Sequence, residues 1–230
     1  MKSKAAPQLD RFTGWPKEAT TFLKGLHKNN SKAYFDAHRA VYEIACKQPM
    51  LALIAELGSQ LGSEWDSKMF RINRDLRFAK DKRPYSEHVS AVFTSSRHAA
   101  GYYLQLSHDN LYVGAGSHEM ASDQLTRYRD AVAGKAGEKL AQILAALKKE
   151  GYDTAEPTLK RVPAGYAQDH PRGELLRASS SWLNRTFKPA PWFYTSEFLT
   201  RIRGVWQDAR PLTAWLDANV KPSTQPPRHR

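Results

Sequence analysis

A single cysteine, Cys46, excludes any internal disulfide or cysteine-rich metal centre and fits a reducing compartment. It falls in a helical pattern, where a packed, unreactive thiol is expected. No run approaches about eighteen consecutive apolar residues, and the opening MKSKAAPQLDRF lacks the apolar stretch of a signal peptide. A soluble, cytoplasmic chain with no membrane partner is therefore expected. Neither GxGxxG nor GxxxxGK followed by Ser or Thr occurs, which disfavours the usual nucleotide-dependent folds. Acidic residues are scarce, 23 against 35 lysines and arginines, giving a formal net charge of +12 and a pI of about 9.8. Such an excess attracts polyanions and says nothing about fold.

An apolar fraction of 41% with 11% aromatic residues is enough for a ring-rich core in 230 residues. Helical spacing links Ala19, Phe22, Leu23 and Leu26 behind Pro16. After an Asn-Asn-Ser break, with Asn30 or Ser31 as N-cap, Tyr34, His38, Val41, Tyr42 and Ala45 continue it, and Pro49 opens a further segment carrying Met50, Ile54, Leu57 and Leu61. The period then changes to two: HVSAVFTS, GYYLQLS and LYVGAGS predict three strands of an antiparallel meander. Leu140, Ile143, Leu144 and Leu147 mark a returning helix, and Leu175, Leu176, Ser179, Trp182 and Leu183 predict another. Phe198, Ile202, Val205 and Trp206 predict a last one, before a turn at Pro211 carrying Trp215 and Leu216. The order predicts one α+β domain over 12–218, a central antiparallel sheet flanked by N-terminal and C-terminal helices. Residues 1–11 and the basic, proline-rich 219–230 are expected to be disordered.

The densest chemistry is RINRDLRFAKDKRPY, residues 71–85, with six basic and two acidic side chains. Read as a strand, it places Ile72, Leu76 and Phe78 on one face together with Arg74, and Arg71, Asn73, Asp75 and Arg77 on the other. A guanidinium on a buried face needs a carboxylate, carbonyls or an anionic ligand, since removing one partner of a buried pair costs roughly 3 to 5 kcal/mol. Pro84 ends the strand and opens a loop bearing Lys80, Lys82 and Arg83. Planar arginine forks with mobile lysines suit an oxyanion. The expected site binds a small phosphate- or carboxylate-bearing ligand through Arg71, Arg77 and Lys82, with Arg74 and Asp75 locking the geometry and Pro84 and Tyr85 shaping the pocket. Two other readings remain open: an ion-pair network without a ligand, and a nucleic-acid-binding module using the basic surface.

The pattern Arg71-x-x-Arg74-Asp75-x-Arg77-Phe78-x-x-x-Lys82-x-Pro84-Tyr85 resembles the signature of the bacterial and fungal family known as domain of unknown function 2461. The resemblance extends to FLKGLHKNNSKAYFDAHRAVYE (22–43), where Tyr34-Phe35 stands in place of the commoner Trp-Phe, and to VPAGYAQDHPRGELLR (162–177). It spans roughly residues 12–218. It implies that the arginine motif belongs to a shared design, and it names no reaction.

Asp169 and His170, before a helical stripe, are the candidate acid/base pair if the protein is an enzyme. His88, His98, His108 and His118 recur every ten residues but lie in or next to turns, without a helical ligand pair, and no metal site is assigned. The Asp66-x-Lys68 pair, with Asp75, Asp81 and Glu87 following, is too short a match to indicate metal-dependent nuclease chemistry. The tyrosines and tryptophans, Trp192, Phe193 and Tyr194 included, read as core more than as a stacking platform for bases. Cofactor and oligomeric state have no signature in the sequence.

Overall fold

The computed structural model describes residues 11–77 and 79–225. The expectation of disorder at residues 1–10 and 226–230, and the position of Phe78, lie outside the described residues. The class is α+β as predicted, with six strands in one antiparallel sheet of order β1-β2-β3-β4-β6-β5. The strands are β1 (Asp66–Met69), β2 (His88–Thr94), β3 (Gly101–Ser107), β4 (Leu111–Ser117), β5 (Asp153–Thr154) and β6 (Ser181–Phe187). The meander β2-β3-β4 matches the three alternating segments, because short turns bring consecutive strands alongside one another.

Residue contacts divide the chain into two compact units. The first holds residues 11–92, Leu104–Leu111 and Phe187–Ile202. Its helices are α1 (Lys17–Lys28), α2 (Lys32–Ala37), α3 (Arg39–Val41), a π-helical turn (Tyr42–Lys47) and α4 (Gln48–Leu61). α1 buries the predicted stripe Ala19, Phe22, Leu23 and Leu26. Ser31 caps α2 by accepting from the Tyr34 N–H. Cys46 is fully buried, and desolvation pushes its thiol up to about 12. Phe12, Trp15 and Phe198 pack at 5.6 to 6.0 Å between ring centres, and the Trp15 N–H donates to the Phe193 carbonyl at 2.9 Å. That approach requires Gly14: with φ at +125°, a Cβ there would fall 2.4 Å from the Tyr194–Thr195 backbone.

The second unit holds Phe93–Tyr103, Tyr112–Thr186 and residues from Arg203 onward. Its helices are α5 (Ser122–Ala133), α6 (Ala136–Lys149) and the one-turn α7 (Gly173–Arg177); α8 (Glu197–Asp208) is shared with the first unit, and α9 (Arg210–Asn219) closes the series. Leu140, Ile143, Leu144 and Leu147 are buried along α6 as predicted. Trp215 stands edge-on to Tyr128 at 6.1 Å and donates its indole N–H to the Ala136 carbonyl. Arg172 donates to the carbonyls of Val132, Ala133 and Gly134, the orphan acceptors at the end of α5.

Three sequence expectations need correcting. The helix expected through Trp182 and Leu183 ends at Arg177, and Ser181–Phe187 is strand β6, pairing Leu183 with Thr154 and Asn184 with Asp153. The turn expected after Pro211 is α9, with the proline in its first turn, where a missing N–H costs nothing. Residues 71–77 are not a strand: one isolated antiparallel bridge, Asn73 to Tyr85, replaces it. Beyond α9 the chain is held by α5. Asp123 accepts from the Ser223 hydroxyl at 2.7 Å and the Thr224 N–H at 3.0 Å, and Arg127 donates to the Val220 and Pro222 carbonyls.

Candidate functional site: the arginine-rich loop

Around the Asn73–Tyr85 bridge the chain closes a loop, with the Arg74 N–H on the Pro84 carbonyl at 2.9 Å and the Ser86 N–H on the Ile72 carbonyl at 2.7 Å. Ile72 and Tyr85 are buried, which anchors both legs. The ladder stops there because Pro84 offers no N–H and because two aspartates take over the backbone donors. Asp75 accepts the Arg77 N–H at 3.1 Å, and Asp81 accepts the Arg83 N–H at 3.0 Å. Each Asp-x-Arg step is thus an Asx turn that competes with strand geometry.

The same two carboxylates hold the guanidinium groups. Arg77 Nε lies 3.0 and 3.1 Å from the two Asp75 oxygens, and its Nη2 lies 2.6 Å from Oδ2. Arg83 Nε is 2.8 Å from Asp81 Oδ2, and Arg74 Nη1 reaches the same oxygen at 2.8 Å and the Arg83 carbonyl at 3.0 Å. Arg74 therefore meets both a carboxylate, Asp81, and a carbonyl, as its partly buried position demands. The Arg77 side chain, then its backbone N–H, holds the Asp75 carboxyl down to about 2. Arg83, by side chain and then backbone, with Arg74 after it, holds Asp81 well below the carboxylate range. Both aspartates stay ionised under all ordinary conditions.

The network runs on. Arg83 pairs with Glu87, whose Oε2 lies 2.5 Å from His27 Nδ1 on α1. Lys82 donates to the Leu76 carbonyl at 3.1 Å. Arg71 and Lys80 are exposed and make no ion pair or hydrogen bond with a described residue. Tyr85 does not line a surface pocket: it is buried, and its ring stacks on Phe35 at 4.3 Å and 14°. Its backbone is clamped by Asn30, whose amide donates to the Tyr85 carbonyl and accepts its N–H, both at 3.0 Å. The loop motif and the Asn-Asn and Tyr-Phe motif are thereby one construction. Spacing alone did not reveal this; the signal was that both motifs belong to the same resemblance.

Asp169 and His170 lie in the second unit. His170 Nδ1 accepts the Arg172 N–H at 3.0 Å, and Nε2 faces the Ala133 carbonyl at 3.3 Å. Both ring nitrogens thus face backbone groups. Asp169 is exposed. Among the described residues no group of three or more His, Cys, Asp or Glu is arranged to hold a metal ion, and no helix is long and apolar enough to cross a membrane. His27 and His108, stacked at 4.6 Å and 25°, were missed in the sequence because 81 residues separate them.

Residues 18–215 match the family of conserved hypothetical proteins termed DUF2461, and the chain belongs to that family. No curated protein matches the chain significantly.

Proposed function

We propose that the loop 71–87 binds a small anion bearing a phosphate or carboxylate group. The supporting observation is a surplus of positive charge: residues 71–87 carry six cations and three carboxylates, and the salt bridges leave Arg71, Lys80 and Lys82 without a carboxylate within 4.0 Å among the described residues. The Asp-x-Arg turns orient the loop before a ligand arrives, so little ordering is left to oppose binding. Arg77 spends Nε and Nη2 on Asp75 and keeps Nη1 to offer an anion. Arg71, Arg77 and Lys82 are the ligand-binding groups in this reading, while Arg74, Asp75 and Tyr85 hold the loop. A local cluster suits a small ligand better than a long nucleic acid, which needs a stripe of phosphate contacts.

The second reading is a purely structural ion-pair network. Its support is that Arg74, Arg77 and Arg83 each find a carboxylate inside the loop. Thermal shift with inorganic phosphate and with small carboxylates separates the two. At 100 times its dissociation constant a bound anion adds about 2.7 kcal/mol, and the shift should vanish in Arg77→Ala and in the Arg71→Ala/Lys82→Ala double variant. A protein that no anion stabilises is a structural module. Stabilisation by oligonucleotides alone, erased by salt, would point to nucleic acid.

A further inference from the structure

Glu87 belongs to two partnerships at once. One oxygen accepts from Arg83 in the loop, and the other lies 2.5 Å from Nδ1 of His27, in the last turn of α1. A carboxylate pairing with arginine is ionised and has no proton to offer, so the hydrogen of this short contact belongs to His27 Nδ1. The lone pair of the neutral ring is then on Nε2. The ring is fixed on its face by His108, and the side chain is about half exposed, 48%. His108 Nδ1 is itself buried without a hydrogen-bond partner, 3.9 Å from Asp109. An unbroken chain, Arg74, Asp81, Arg83, Glu87, His27, thus connects the arginine motif to an imidazole with one nitrogen held by a carboxylate and the other unclaimed among the described residues. Acid/base histidines are built this way.

We propose that His27 is the proton-transfer group of the anion site, with Glu87 as its positioning residue. Nε2 accepts one proton from an O–H of the bound phosphate- or carboxylate-bearing ligand, or from a hydroxyl that this ligand carries. The ligand gains one negative charge, Nδ1 keeps its hydrogen, and Glu87 compensates the imidazolium. The titratable groups that the ring meets are Glu87, which Arg83 also pairs, and His108, which in the turn between β3 and β4 lies beside Asp109, itself within the field of Lys188. This assignment rests on the anion-binding reading above.

The test is imidazole nitrogen NMR of the full chain with inorganic phosphate as probe, paired with peptide-level mapping of carbethoxylation. Without ligand, neutral His27 should carry its hydrogen on Nδ1, and Glu87→Ala should abolish that preference while the loop amides stay in place. Phosphate at ten times its dissociation constant should slow carbethoxylation of His27 about tenfold, and the His27 ring signals should follow the same binding curve as the amides of residues 71–87. Loop amides that respond to phosphate while the His27 ring and its modification rate do not would overturn this assignment and leave the anion site standing. A tautomer unchanged by Glu87→Ala would remove Glu87 from its role. If neither loop nor ring responds, the anion-binding reading fails and this one with it.

Discussion

Asn30 shows how much one side chain can organise. Its amide imitates a strand partner, donating to and accepting from the backbone of the buried Tyr85. Asn30→Ala leaves a buried N–H and C=O without partners, at about 1–3 kcal/mol; denaturant titration should show that loss, and Asn30→Asp, which can accept but not donate, should recover only part of it. Cys46 makes the opposite point, since its burial and the thiol raised to about 12 remove its chemistry. A thiol reagent near neutral pH should label it only as fast as the chain opens; rapid labelling of the native protein would contradict its placement. Both residues sit in patterns visible in the sequence. The helical stripe foretold the burial of Cys46, whereas Asn30 read only as a cap candidate because its partner is 55 residues away.

At the scale of elements, period and punctuation predicted the meander and the helices α1, α4 and α6, where one apolar face coincides with a single secondary-structure period. The prediction missed where two periods coincide. Leu175, Leu176, Ser179, Trp182 and Leu183 fit a helix, yet Ala178 is extended and β6 follows, because β5 supplies a strand partner that no local pattern announces. The arginine loop missed for another reason: aspartate two residues before arginine satisfies the backbone N–H itself, so alternation did not imply a strand. The segment after α9 depends on Asp123 in the first turn of α5. Asp123→Ala should release residues 222–225, seen as faster amide hydrogen exchange at Thr224 and Gln225, with α5 itself little changed.

For the whole molecule, charge sets the pH response. Asp75, Asp81 and Asp123 have carboxyls lowered from 3.8, the first two chiefly by arginine and Asp123 chiefly by the Thr224 backbone N–H. A depressed folded value means stability that is complete above the unfolded value, about 3.9, and lost as pH falls through the folded one. Acid unfolding should therefore steepen below about pH 4, and Asp75→Asn with Asp81→Asn should flatten it. Burial raises Tyr42 to about 12 and raises Tyr128 and Tyr152 as well. A raised value means stability complete below about pH 10 and lost above it, so alkaline melts should fall there; a melting temperature level to pH 12 would contradict those burials. Composition and period, which act within a few residues, were enough for the α+β class, the meander, the helical stripes and the location of the basic cluster. Only the tertiary structure decided that Asn30 clamps Tyr85, that Asp81 holds Arg74, and that Glu87 carries the network to His27. These are pairings between groups seven to sixty residues apart, and such pairs are selected by how the chain packs, which no local pattern encodes.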